Sequence, residues 1–218
     1  MNIEKIERGL RDLRADFPLE DRVLQESIAV QAAYVHALRY WIGHDRPPTA
    51  EYLPADAIEH LVSADALVVT TEGVGIYPFS AQETDIRLHN GTHRPICTMC
   101  AVDALVIPAL WQSQARLETR CHACHRSLSF VVGAGSKPYP DAELSEVYIH
   151  LRNRQSRAEQ PACGSLCTKI YFLCSHCAAV LPPGARYTLQ EAQVIGQQFF
   201  AFQHGLLRAF PNGLEEVS

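Results

Sequence analysis

The stretch Ile96-Cys97-Thr98-Met99-Cys100-Ala101-Val102-Asp103-Ala104-Leu105-Val106-Ile107-Pro108-Ala109-Leu110 decides how this chain is read. Its apolar run without glycine predicts a helix, with Thr98 as N-cap and Pro108 as the point where it kinks or ends. Two cysteines and one aspartate interrupt it. Cys100 and Asp103 lie three residues apart, so on a helix they share a face and their side chains can meet. Near a helix N-terminus the macrodipole favours a thiolate, which lowers a cysteine pKa and makes it a metal ligand or a nucleophile. Asp103 sits among Val102, Ala104, Leu105 and Val106. Poor hydration raises a carboxyl pKa, so this group can hold and deliver a proton. A satisfied buried aspartate beside a core cysteine fits the same residues, since buried thiols are common.

The cysteines extend this theme. Cys97, Cys100, Cys121, Cys124, Cys163, Cys167, Cys174 and Cys177 all fall after residue 96, six of them paired as C-x-x-C. The start MNIEKIERGL is charged and amphipathic rather than a signal peptide, so metal or thiol chemistry is favoured over disulfides and a cytoplasmic location is expected. Two C-x-x-C turns at strand ends can converge on a tetrahedron, which assigns Cys121, Cys124, Cys174 and Cys177 to a structural zinc. Cys97, Cys100, Cys121 and Cys124 also fit a zinc-ribbon interval, which would spend Cys100 structurally. His122, His125 and His176 flank the knuckles and can substitute as ligands, although solvated loop histidines are the plainer account. Cys163 lies four residues before Cys167 and is either a metal relay or an exposed loop thiol.

At 218 residues, 47% hydrophobic and 20% charged, the chain can bury a real core as one or two globular domains. A net charge of −5 argues against nucleic acid as the main partner. No apolar run approaches the roughly 20 residues that span a bilayer.

Upstream, apolar residues from Ile3 to Trp41 recur at helical spacing and predict two helices parted near Asp16-Phe17-Pro18. Thr49 caps a short helix, and Pro54 opens another over Ala55 to Ser63. ALVVTT, the turn Glu72-Gly73 and VGIYPFS then signal a hairpin. This order suggests a winged-helix module. Its would-be recognition helix, PADAIEHLVS, is acidic and carries no Lys or Arg, so a lid or packing role is expected instead of DNA binding. Downstream, strands are expected at Ala115–Thr119, after the cysteine turn CHACHRSLSFVV, at Val147–Leu151 and in TKIYFL. Gly133–Tyr139 and Pro182-Pro183-Gly184 read as loops, Arg152–Pro161 as an exposed polar segment, and Thr188–Phe210 as one long helix.

With these residues in place, the chain resembles the organomercurial (alkylmercury) lyase family. M-C-A-V-D-A-L-V-I-P-A-L is similar to that family's W-C-A-L-D-T-L-I-F-P-A-L segment, carrying over Cys100 and Asp103. Cys167-Thr168-Lys169-Ile170-Tyr171-Phe172-Leu173-Cys174-Ser175 resembles the C-x-H-V-H-F-F-A-S stretch and carries over Cys167. TLQEAQVIGQQFFAF matches the family's E-A-x-x-x-G-Q-x-F helix. The resemblance runs from about Thr98 to Leu207. Met99 stands where the family has Trp, and Cys97, Cys124, Cys174 and Cys177 are additions.

The resemblance implies an α+β fold: a helical, winged-helix-like part over residues 1–88, then a lyase-like core of a small mixed sheet flanked by helices over residues 89–218. It implies that Cys100 and Cys167 chelate an alkylmercury cation while Asp103 returns a proton to the departing carbon. A small organometallic would be the substrate, and Hg(II) would remain on the two sulfurs as bound product. A mercuric reductase or cellular thiols would accept the ion, with no organic cofactor, no nucleic acid and no membrane involved. Two alternatives stand beside it: a lyase of the same fold acting on another organometallic or metal-bound small molecule, and a non-enzymatic thiol-rich regulator.

Overall fold

Where the apolar residues recur at helical spacing, the N-terminal part folds as helices. The computed structural model describes residues 1–91, 94–135, 138–140, 147–151, 160–182 and 185–211. α1 (Ile3–Asp16) is capped by the Asn2 side chain, which accepts the Lys5 N–H, and it buries Ile6, Gly9 and Leu13. α2 (Leu19–Leu24) and α3 (Ile28–Gly43) follow. The second predicted helix is therefore two. The Ser27 side chain accepts the Val30 N–H, and this cap starts a new helix where apolar periodicity alone shows no break. After a 3-10 turn at Ala50–Tyr52 comes α4 (Ala55–Ser63), on the predicted bounds.

β1 (Leu67–Thr70) and β2 (Gly73–Ile76) form the hairpin, with Leu67 opposite Ile76 and Thr70 opposite Gly73. Gly73 has φ +136°, and a Cβ there would lie 2.6 Å from the Pro48 carbonyl oxygen, so only glycine fits. β3 (Phe79–Ser80), β4 (Arg87–His89) and β5 (Ile96–Thr98) continue the sheet. Then come α5 (Ala101–Trp111), β6 (Ala115–Arg120), β7 (Ser127–Val132) and β8 (Pro138–Pro140). The order is β1-β2-β3-β5-β4-β6-β7-β8.

A second sheet, ordered β10-β9-β11, is built from β9 (Val147–Leu151), β10 (Ile170–Cys174) and β11 (Arg186–Thr188). The short helices α6 (Ala162–Ser165) and α7 (Ser175–Ala178) flank β10, and α8 (Leu189–Phe199) and α9 (Ala201–Ala209) follow β11. The α+β class holds. Every strand pairing among the described residues is antiparallel, so neither sheet is mixed as expected, because neighbouring strands are joined by turns and returning connections, not parallel crossovers.

Three further expectations are corrected. Thr98 ends β5 rather than capping the central helix; the N-cap is Cys100, in extended conformation, and the Thr98 hydroxyl donates to the Cys100 carbonyl. Pro108 does not end α5, which runs on to Trp111 and closes on Gln112 in the left-handed region. The lost backbone bond is offset by burial, since nine of the helix's eleven residues are buried. The long C-terminal helix breaks at Phe200. Adjacent Phe199 and Phe200 are both buried, edge to face at 4.9 Å, and successive residues of a straight helix point about 100° apart. The expected polar segment Arg152–Pro161 lies outside the described residues over 152–159, as do residues 136–137 and 183–184 of the two expected loops.

α8 carries the packing that positions the site. A Cβ on Gly196 would come within 2.6 Å of Val106 of α5, and a Cβ on Gly9 of α1 within 2.9 Å of Ile195 of α8. Glu191 completes a capping box with Thr188, pairs with Lys5 at 2.8 Å and accepts the Asn2 N–H, so α1 is fastened to α8 at its first turn.

Candidate active site

Cys100 comes from the junction of β5 and α5, Asp103 from the first turn of α5, and Cys167 from the 3-10 turn (Cys167–Lys169) that leads into β10. Their ligand atoms all lie within 4.8 Å of one another. All three are buried, at 3%, 3% and 6% exposure. They line a cavity of about 20 Å³, walled by Leu13, Phe17, Tyr77, Phe199 and Phe200. That volume suits about one water.

Burial governs the electrostatics here. It pushes the Asp103 carboxyl well above the usual carboxylate range, and a charge on Cys100 pushes it further. Asp103 Oδ2 is buried and has no hydrogen-bond partner. Burial also pushes the Cys100 thiol well up, against the opposing pull of Asp103's side chain and N–H. The expectation that the helix terminus lowers the Cys100 pKa is thus overturned, because desolvation outweighs the dipole. A hydrogen bond from Cys100 draws the Cys167 thiol down, but burial and the charges of Asp103, Cys163 and Asp65 leave it raised. The apo cluster therefore holds its protons.

Two residues that the sequence reading passed over fix the Cys167 segment. The Tyr77 hydroxyl accepts the Cys163 N–H at 2.8 Å, and the Asp65 carboxylate accepts the Ala162 N–H at 2.9 and 3.2 Å. Asp65 also pairs with Arg22 at 3.5 Å and takes φ +54°. That conformation is uncommon outside glycine, asparagine and aspartate, and it is the only local signal for Asp65. Tyr77 had none, since an aromatic residue in a strand run reads as core.

A second cluster lies at the other end of β10. Cys121, Cys124, Cys174 and Cys177 bring their sulfurs within 4.8 Å of one another. The turn after β6 closes with Cys121 N–H on the Arg126 carbonyl and His125 N–H on Cys121, His125 taking φ +58°. The Cys174 N–H donates to Cys121 Sγ at 3.4 Å, and Cys124 and Cys174 sulfurs are 3.8 Å apart. Burial would raise the Cys121 thiol, but the N–H groups of Cys174, Cys124 and Ala123 together draw it down to about 6.

Cys97 does not join either cluster. It sits on β5, its thiol 3.9 Å from the Thr84 carbonyl, so the ribbon grouping with Cys100, Cys121 and Cys124 does not assemble. His122 stacks on Tyr171 at 3.8 Å, and neither it nor His125 or His176 belongs to the four-sulfur group.

The alkylmercury lyase (MerB) family model matches residues 79–199, more than half of the chain. This chain belongs to the alkylmercury lyase family. It is accordingly an enzyme of the carbon–metal lyase type. A solved mercury-bound form of MerB2 shares the lyase's fold, with a TM-score of 0.63 at 16% identity, covering 92% of this chain and 99% of that one. No curated protein matches the lyase by sequence. None of its helices, among the described residues, is long and apolar enough to cross a membrane.

Proposed function

We propose that the protein cleaves the carbon–mercury bond of small organomercurials by protonolysis, using Cys100, Cys167 and Asp103. Soft thiolates select soft metals, and an alkylmercury cation delivered on a cellular thiol is the extreme case. One protein thiol displaces the delivering thiol, which leaves with a proton. The second thiol binds mercury, and its proton replaces the one that Asp103 gives up. Electron donation from two sulfurs weakens the metal–carbon bond, and Asp103 hands its proton to carbon as that bond breaks. The products are a hydrocarbon and Hg(II) held by Cys100 and Cys167. Atoms and charge balance without a redox step or an organic cofactor. Cellular thiols or a mercuric reductase in the cytoplasm then take the ion.

One observation carries this reading: a buried carboxyl with a free oxygen lies within 4.8 Å of two buried thiols. A site built only to grip metal has no need of a proton donor, and an apolar wall suits both an alkyl or aryl group and a protonated acid.

The second cluster is assigned to a structural zinc on Cys121, Cys124, Cys174 and Cys177. Zinc–sulfur bonds of about 2.3 Å in a tetrahedron set sulfurs about 3.8 Å apart. The separation of Cys124 and Cys174, 3.8 Å, already fits, and the N–H bond to Cys121 supports a thiolate ligand there.

The test is turnover of phenylmercury in excess thiol, with zinc measured on the same sample. Benzene release that is lost in Cys100→Ser and in Cys167→Ser, with one zinc per chain, is the expected result. Absence of benzene from reduced, zinc-loaded protein would overturn the lyase mechanism.

A further inference from the structure

Two sulfurs must meet on one metal ion, and they come from elements of unequal firmness. Cys100 is held between β5 and α5, its carbonyl accepting the Thr98 hydroxyl at 3.1 Å. Cys167 sits in a 3-10 turn, joined downstream to β10 and upstream to the four-residue α6. The N–H groups of Ala162 and Cys163 open that segment and have no partner inside their own turn. One corner of the fold takes both. The Tyr77 hydroxyl accepts the Cys163 N–H at 2.8 Å, and the Asp65 carboxylate accepts the Ala162 N–H at 2.9 Å. The same hydroxyl donates to Asp65 at 3.4 Å, and Arg22 pairs with Asp65 from the other side. Tyr77 is 1% exposed, Gln203 donates to its carbonyl at 2.7 Å, and it lines the cavity that Cys100, Asp103 and Cys167 share.

We infer that Tyr77, with Asp65 behind it, is the positioning residue that keeps Cys167 within chelating reach of Cys100. The inference rests on the lyase reading above. A phenol suits the task because one oxygen both accepts and donates, whereas phenylalanine would fill the same wall and hold nothing. The gain is preorganisation: with its segment pinned at both ends, the second sulfur meets a metal already held by the first without a search. With the pin lost, one cysteine still captures mercury, and an external thiol fills the second coordination position.

The experiment loads the full chain with one equivalent of inorganic Hg(II) in the presence of glutathione and reads the species by native mass spectrometry. No carbon–mercury bond is involved, so chelation is measured apart from cleavage. The parent is expected as protein plus mercury, without glutathione. In Tyr77→Phe the mixed protein–mercury–glutathione adduct is expected to gain roughly tenfold on the chelate, about what one lost hydrogen bond is worth. Benzene release from phenylmercury should slow by a similar factor in kcat, with KM unchanged. Asp65→Gly keeps the φ of +54° at ease, removes both acceptor oxygens and should act the same way. Adduct formed by a Cys100→Ser/Cys167→Ser double variant is subtracted as mercury bound elsewhere. Ser27→Ala, which loses the cap of α3, is the control for stability alone and should match the parent. An adduct at the parent level in Tyr77→Phe or in Asp65→Gly would overturn the proposal, as would an equal rise in Ser27→Ala. Chelation intact in the parent and lost in Tyr77→Phe, with no benzene released by the parent, would strike the lyase reading alone.

Discussion

The two sulfur clusters of this molecule are made from the same side chain, yet Cys121 in one and Cys100 in the other are driven in opposite directions. At Cys121 three backbone N–H groups outweigh burial and draw the thiol down to about 6, whereas at Cys100 burial wins and the thiol is pushed well up. The four-sulfur cluster sits on turns whose N–H groups point at Cys121, while hydrogen bonds with Cys124 and Cys174 push the neighbouring Cys177 up to about 12. The triad sits against aliphatic and aromatic walls, with a carboxyl that is itself pushed up. Sulfur alone therefore does not set a site's chemistry; the surrounding donors decide whether it is ready to hold an ion or ready to spend a proton.

The sharpest way to break this contrast is Asp103→Asn. General acid catalysis contributes roughly 10²–10⁴-fold, so hydrocarbon release should fall by about that factor while Hg(II) binding and zinc content stay unchanged. Normal release would remove the proton from the comparison. The same variant carries a signature in stability. Because the folded carboxyl titrates above its unfolded value, the folded state loses stability as pH rises from the ordinary carboxyl range towards the raised value. Asn has no such loss, so the Tm of Asp103→Asn relative to the parent should climb with pH across that window. A flat difference would mean that the carboxyl is not held protonated.

Cys174→Ser addresses the other cluster. Structural zinc brings roughly 10–16 kcal/mol of binding in isolated zinc-finger peptides, and losing even about 3 kcal/mol of this lowers Tm by roughly 6–12 °C at this chain length. Zinc assay and thermal melting should fall together, and chelation of the parent should reproduce the effect. An unchanged Tm after complete zinc loss would show that the knuckles need no ion.

Gly196→Ala should cost about 1–3 kcal/mol, because a Cβ meets Val106 at 2.6 Å and Val102 at 2.9 Å on the helix that carries Asp103. Turnover should drop with it and zinc content should not, which separates the two clusters by packing alone. Glu191→Ala, in which the capping box and the Lys5 pair are lost, should cost about 1–2 kcal/mol. Burial opposes the shift, but Lys5 and the N–H groups of Thr188 and Asn2 hold this carboxyl below its usual range. Its contribution is therefore present above the ordinary glutamate range and is lost as pH falls through the lowered value. Chemical denaturation of parent and variant at several pH values checks both size and sign.

Much of this was legible in the residues. The bounds of α4, the β1–β2 hairpin and the strands β6, β7, β9 and β10 follow from local periodicity and turn chemistry, which act over a few neighbours. The α5 start was misread because Thr98 is a good capping residue in isolation, whereas β5 pairs with β3 and β4 and holds Thr98 in the sheet. The break at Phe200 is set by two phenylalanines seeking the same wall, a demand made by tertiary packing and not by the helix. Asp65 and Tyr77 escaped notice for a related reason: their partners, Ala162 and Cys163, lie 97 and 86 residues away along the chain.

β10 has one more consequence. Cys167 lies just ahead of its first residue and Cys174 is its last, and five residues at about 3.3 Å each span about 17 Å. This is several times the length of a metal–sulfur bond, about 2.3 Å for zinc, so no single ion can touch both sulfurs at once. The strand acts as an insulator: two pools of sulfur share one chain without exchanging ions through it, and mercury arriving at one end need not scramble what is held at the other.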